Sequence, residues 1–302
     1  MGSDIAITGA FSYTGKYLAQ ILLERGYKLR TLTNHPDPSS PLAAKIRAIP
    51  YRFEAPEKLA ESLAGCDTLV NTYWVRFPHR GMSFERAVEN TLGLIRAAKS
   101  AGVRRVVHVS IANPSLDSPL GYYKGKAQLE KAVRESGISF AIIRPTVIFG
   151  REDILINNIA WFVRRFPVFA VPGDGRYRLQ PIFVRDIAAL LADAVARDDN
   201  YALDAVGSEI FTFDELIRLI GEKIGCRARI VHVPAPLAYM ATKITGWFLG
   251  DVVLTWEEYR GLMDNLLVSK NPPTSTTKLS EWLDAHRETV GLYYASEVAR
   301  HY

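Results

Sequence analysis

Up to Pro145 the chain alternates six short apolar runs with stretches of helical spacing, and that rhythm constrains the fold more than any single motif. Ile5–Thr8, Lys28–Thr33, Tyr51–Phe53, Thr68–Val75, Arg105–Ser110 and Phe140–Arg144 read as strands. Gly15–Arg25, Glu57–Leu63, Ser83–Ala101 and a stretch from Gly121 to Ser136 read as helices. In the first helix Leu18, Ile21 and Leu22 share a face, and Gly26 stands just past its end as a stop signal. Strand, helix, strand repeated in this way predicts a parallel sheet covered on both faces. Right-handed crossovers then make it doubly wound, an α/β fold.

After Gly150 the rhythm changes. A helix near Ile154–Phe166 leads to the turn Val171-Pro-Gly-Asp-Gly175, and Val184–Arg197 reads as another helix. Thr212-Phe-Asp-Glu215 has the spacing of a capping box, in which the Thr hydroxyl and the Glu carboxylate satisfy two orphan backbone N–H groups. The expected organisation is a sheet domain over residues 1–150, with 176–206 returning to it. A smaller, discontinuous C-terminal substrate lobe takes 151–175 and 207–302.

Composition narrows the function classes. With 48% hydrophobic and 23% charged residues in 302, the chain has apolar mass for a large core and is not intrinsically disordered. Its net charge of +5 is scattered, with no basic block, so no nucleic-acid partner is expected. No run approaches ~18 apolar residues, so no membrane span is expected. The N-terminus lacks a secretory pattern, and Cys66 and Cys226 stand far apart, as reduced thiols of a cytoplasmic protein would. The histidines form no close pair, and no metal site is expected.

The turn Thr8-Gly9-Ala-Phe11-Ser12-Tyr13-Thr14-Gly15 sits between the first strand and the first helix, where a dinucleotide pyrophosphate rests on a helix N-terminus. Gly9 permits the tight turn and Gly15 close helix–strand packing; the position between them that often holds a third Gly is Ser12. The same pattern also suits a tight turn with no ligand. The second strand ends in Thr33-Asn34-His35, without the carboxylate that selects NAD, so NADP(H) is favoured over NAD(H). Asn34, His35 and Lys16 are candidate phosphate partners, or a solvated surface.

Tyr122 and Lys126 lie four apart, on one face of the helix that follows the fifth strand. A phenol titrating near ~10 is a poor acid–base group at neutral pH, and a nearby ammonium lowers it. Ser110, at the end of that strand, can steady a substrate oxygen.

With these residues in place, the chain resembles the extended or atypical short-chain dehydrogenase/reductase superfamily. The resemblance rests on Thr8-Gly9 with Gly15, Asn90 with Gly93, His108-Val-Ser110, Tyr122 with Lys126, and Arg144-Pro145-Thr146-Val-Ile-Phe-Gly150. Gly173-Asp-Gly175 and Gln180-Pro181-Ile-Phe-Val184-Arg-Asp186 extend it toward the NAD(P)-binding, epimerase-like group, which includes the nucleotide-binding accessory subunit of respiratory complex I. The resemblance implies a Rossmann core with the cofactor across the strand tips. It implies Tyr122 as general acid/base and Lys126 on the nicotinamide ribose. Pro145, Thr146 and Val147 would face the nicotinamide, and Thr72 would lie near the adenosine ribose. Two positions depart from the pattern: Ser12 replaces the middle glycine, and Ile111 and Ala112 stand where a catalytic hydroxyl often follows the strand.

Two functions follow as expectations. One is an NAD(P)-dependent oxidoreductase, or an epimerase using transient oxidation, with a small carbonyl or alcohol substrate. The other is a non-catalytic NAD(P)H-binding scaffold or redox sensor. Asn71-Thr-Tyr73-Trp74-Val-Arg76-Phe77 either grips a flat or anionic substrate or packs under the second lobe. The apolar segment Leu237–Leu249 is read as buried lobe packing, a pocket wall, or a surface for a partner or a peripheral membrane contact. A homo-oligomer is compatible with all of these.

Overall fold

The computed structural model describes residues 3–79 and 81–301. Along the chain run β1 (Asp4–Thr8), α1 (Tyr13–Glu24), β2 (Lys28–Leu32), β3 (Ile46–Ile49), α2 (Pro56–Leu63), β4 (Thr68–Asn71), α3 (Phe84–Ser100), β5 (Arg105–Val109), α4 (Gly121–Glu135) and β6 (Ser139–Pro145). They continue with β7 (Ile148–Phe149), α5 (Leu155–Arg165), β8 (Val168–Pro172), β9 (Arg178–Leu179), β10 (Ile182–Phe183), α6 (Val184–Ala196) and β11 (Tyr201–Ala205). The last are β12 (Phe211–Thr212), α7 (Phe213–Lys223), β13 (Arg229–Val233), α8 (Ala235–Leu249), α9 (Trp256–Met263), α10 (Leu279–His286) and α11 (Glu297–His301).

The chain forms two compact units. The first is Met1–Pro145 with Val184–Ala205; the second is Thr146–Phe183 with Val206–Tyr302. The first unit is built on a seven-stranded sheet in the order β3-β2-β1-β4-β5-β6-β11, parallel at every pairing. The order reverses between β1 and β4, so the crevice of this doubly wound fold opens at their C-terminal ends. One face of the sheet, with Ala6, Leu69, Val106 and Ile142, buries against α2, α3 and α4 through Leu59, Leu94 and Val133. α1 packs on α6, whose Ile187, Ala188 and Leu191 are buried. Arg105 is fully buried and held by the carbonyl oxygens of Ala194 and Asp199 and by the Ser139 hydroxyl.

The second unit has its own core, with Phe149, Ile159, Leu179, Leu216, Ile220 and Trp282 among its members. The capping box of α7 is formed in both directions between Thr212 and Glu215. Three local expectations change. The third strand is Ile46–Ile49, not Tyr51–Phe53, because Tyr51 and Phe53 stack on each other at 4.8 Å and tilt against Tyr73 instead of pairing. β4 stops at Asn71 because the N–H groups of Thr72 and Tyr73 turn onto the Thr8 hydroxyl. Leu237–Leu249 is a helix, but its large side chains are exposed rather than packed inside the unit.

A candidate cofactor site at the strand tips

The glycine turn is shaped as its spacing predicts. Gly9 has φ +75°, a left-handed conformation that a side chain would strain. A Cβ on Gly15 would fall 2.0 Å from the Gly9 carbonyl oxygen, so the first turn of α1 rests on the end of β1 only because Gly15 has no side chain. Ser12 is the N-cap of α1, its Oγ accepting from Gly15 N at 3.3 Å. Its oxygen thus fills a structural role in place of the middle glycine. Phe11, Tyr13 and Thr14 are half-buried around this turn, with Tyr13 edge-on to Tyr17 at 6.2 Å. The Lys16 ammonium lies 5.6 Å from the Tyr17 ring centroid. At the tip of β2, Asn34 and His35 are exposed; Asn34 Oδ1 accepts from Tyr51 N at 2.8 Å, tying the β2 and β3 ends together.

A polar relay crosses the switch point. Thr8 Oγ1 accepts from Thr72 N at 2.6 Å and Tyr73 N at 2.9 Å, and donates to Asn71 Oδ1 at 3.1 Å. The Thr72 hydroxyl donates to the Thr8 carbonyl. With its oxygen so engaged, Asn71 presents Nδ2 to His108 Nδ1 at 3.1 Å, and pairing register sets these two residues opposite each other. Nδ1 must then accept, which leaves the proton on Nε2. Burial first, and the Lys126 charge second, push His108 well below 6.5, so the ring is neutral.

Lys126 is the chemical centre of the arrangement. Its side chain is buried, Nζ donates to the Val109 carbonyl at 2.8 Å, and the amine lies 4.6 Å from the centroid of the Trp74 ring. Burial pushes the amine from 10.5 down to about 7, with Glu130 opposing the shift. Glu130 compensates only in part because Arg144 holds its carboxylate bidentately at 2.8 and 2.6 Å. Tyr122, one turn before Lys126, is half-buried and meets Trp74 edge-on at 5.6 Å and Phe84 at 5.8 Å. The indole packs on Gly125, where a Cβ would come 2.8 Å from its ring. Among the described residues, Ser110 Oγ, His108 Nε2 and Trp74 Nε1 are buried without a hydrogen-bond partner.

Pro145 ends β6 in the first unit, its carbonyl accepting from Ala112 N at 2.8 Å. Thr146 and Val147 belong to the second unit, where the Thr146 hydroxyl donates to the Gln180 carbonyl and Val147 O accepts from Ile182 N at 2.8 Å. Sequence spacing therefore locates the turn, Tyr122, Lys126 and Ser110. It does not single out Asn71 and His108, whose 37-residue separation hides a contact between neighbouring strands.

The residues present fit a dinucleotide. The cradle at Gly9 and Gly15 admits no side chain at Gly15, and the unpartnered Ser110 and His108 atoms offer polar contacts at the end of β5. A helix N-terminus on a glycine turn at a topological switch point defines an NAD(P)H-binding protein of doubly wound fold. Comparison with known proteins agrees: residues 9–154 match the family described as NAD(P)H-binding. The chain is 25% identical over 292 residues to the Arabidopsis thaliana mitochondrial NADH dehydrogenase [ubiquinone] 1 alpha subcomplex subunit 9, covering 89% of this chain and 72% of that one. It is 27% identical over 240 residues to ceramide reductase of Caulobacter vibrioides, covering 77% and 74%. The Citrobacter sp. triphenylmethane reductase structure superimposes with a TM-score of 0.76 at 18% identity, over 94% of this chain and 99% of that one. The chain is thus similar in fold and in its first half to the NAD(P)-binding, epimerase-like group of the extended short-chain dehydrogenase/reductase proteins.

Proposed function

We propose that this protein is an NADP(H)-dependent oxidoreductase that reduces a carbonyl, or oxidises the matching alcohol, with Tyr122 as general acid/base. One observation carries the reading: a buried lysine, brought down to about 7 and anchored on the Val109 carbonyl, one helical turn from a tyrosine at the end of the sheet. A buried amine with so altered a proton affinity is the mark of a working site rather than of a surface helix. When bound, the nicotinamide supplies or accepts the hydride. Gly9, Phe11, Ser12, Tyr13, Thr14 and Gly15 hold the pyrophosphate; Thr72 takes the adenosine ribose. Lys126 hydrogen-bonds the nicotinamide ribose, and its positive charge favours the Tyr122 phenolate. Pro145, Thr146 and Val147 form the wall facing the ring. Tyr122 gives its proton to the substrate oxygen in reduction, and the Ser110 hydroxyl steadies that oxygen. The β2 tip lacks a carboxylate among Thr33, Asn34 and His35, which supports the 2′-phosphorylated cofactor. Reductase names among the relatives support the class of reaction.

A second reading, a non-catalytic NAD(P)H-holding scaffold, draws support from Trp74, whose ring lies against both Tyr122 and Lys126, and from the complex I subunit relatives. NADPH oxidation with a panel of carbonyl compounds separates the two. Under the first reading Tyr122→Phe lowers kcat by a factor of about 10²–10⁴ and leaves the NADPH Kd within about twofold. Tight NADPH binding with no turnover by the wild type, or turnover untouched by Tyr122→Phe, selects the second.

A further inference from the structure

α8 wears its apolar face outward. Leu237, Met240, Ala241, Ile244, Trp247 and Phe248 fall within an arc of about 120° around the helix. The five large side chains among them are between 57% and 78% exposed. The opposite side is the one that packs: Ala238 and Gly246 are the buried positions, and Tyr239 meets the Trp256 ring at 5.4 Å. A helix on a water-facing surface normally shows the reverse arrangement.

We infer that this face of α8 lies in the interfacial layer of an anionic lipid bilayer. Three observations select lipid over a protein partner. Apart from the indole N–H of Trp247, no hydrogen-bonding side chain interrupts the arc, whereas a protein interface carries about one hydrogen bond per 100–200 Å². The helix has 15 residues, so it is about 22 Å long, too short for a hydrocarbon core of ~30 Å and suited to lying flat. Between Glu222 and Asp251 the sequence has no Asp or Glu; Lys223 is paired with Asp284, and the exposed Arg227, Arg229 and Lys243 give a charge balance that complements acidic headgroups. Trp247 and Phe248, rings 4.9 Å apart at the end of the helix, provide the aromatic anchor that such layers accept. Lys243 borders the arc and is exposed, placed to meet a phosphate.

Flotation of the full chain with vesicles tests this. The chain is expected to float with vesicles of phosphatidylcholine and phosphatidylglycerol, and less with phosphatidylcholine alone or at high salt. The double variant Trp247→Ser/Phe248→Ser is expected to lower the bound fraction at least ~10-fold while its thermal midpoint stays put, because both side chains point away from the core. Leu116→Ser, an exposed apolar position in the first unit, is expected to change nothing. Failure of the wild type to float, or equal flotation by the double variant, overturns the inference. A dimer in light scattering that the double variant dissolves, without vesicle binding, assigns the face to a second copy and overturns it too.

Discussion

Lys126 illustrates how burial alone changes what a residue can do. Its amine has one backbone acceptor and an aromatic face, so the charged form loses more hydration than it regains and titrates at about 7. If the charged amine favours the Tyr122 phenolate, kcat/KM falls as pH rises through about 7, and Lys126→Met removes that limb from the pH profile. The same group shapes stability. Between about 7 and 10.5 the unfolded chain binds this proton and the folded chain does not, so stability from Lys126 is full above 10.5 and is lost as pH falls toward 7. Asp153 acts in the opposite sense. Burial raises its carboxyl from 3.8 to about 7, although Gly150 N, Ile156 N and the Asn157 amide donate to it. Its contribution is full below 3.8 and is lost as pH rises to 7. Urea midpoints measured against pH are expected to dip near neutrality, with Lys126→Met flattening the alkaline arm and Asp153→Asn the acidic one. The Tyr122–Lys126 pair was legible in the sequence because helical spacing is local. The Trp74 ring over the lysine, and the Asn71–His108 contact, arise only when β4 pairs with β5 and so leave no local signal.

At the scale of elements, α1 carries the cofactor argument. Its N-cap is Ser12, and Ser12→Ala is expected to cost about 1 kcal/mol in urea denaturation. Gly15→Ala is expected to cost about 1–3 kcal/mol or more, because its Cβ meets the backbone oxygen of Gly9 rather than a movable side chain. The Gly15 effect was readable from the turn, as was the α7 capping box, because tight turns and caps are set by neighbouring residues; in the sequence Ser12 stands only as the replacement for a middle glycine, and its capping role emerges from the structure. β3 was not. Tyr51 and Phe53 have strong strand propensity, yet they serve an aromatic cluster with Tyr73, while the pairing falls to Ile46–Ile49 with its polar Arg47. Tyr201–Ala205 escapes a pattern reading for a related reason: it is a short edge strand, and Asp204 interrupts its apolar run. α8 shows the limit of hydrophobicity itself, since an apolar helix of this length reads as buried until the packing of its neighbours is known.

Over the whole molecule, the first unit gathers two separate stretches of chain into one sheet, and the features of α1, β4, β5 and α4 proposed to hold the cofactor lie within it. Binding there stabilises the folded state by mass action. NADPH at ~100 times its Kd is expected to add about 2.7 kcal/mol to the unfolding free energy, and NADH at the same concentration less, measured by denaturant melts. The doubly wound fold class was legible from the alternation alone, whereas the strand order and the points at which the chain passes between units, after Pro145, Phe183 and Ala205, depend on which strands join the sheet. The most direct test of the central claim, that a buried amine meets the coenzyme beside a proton-carrying phenol, is an NMR titration of ¹³C-labelled lysine. The Lys126 signal, assigned by its loss in Lys126→Met, is expected to titrate near 7 in the free protein and to shift on saturation with NADPH. A Lys126 signal that ignores bound NADPH would contradict the account.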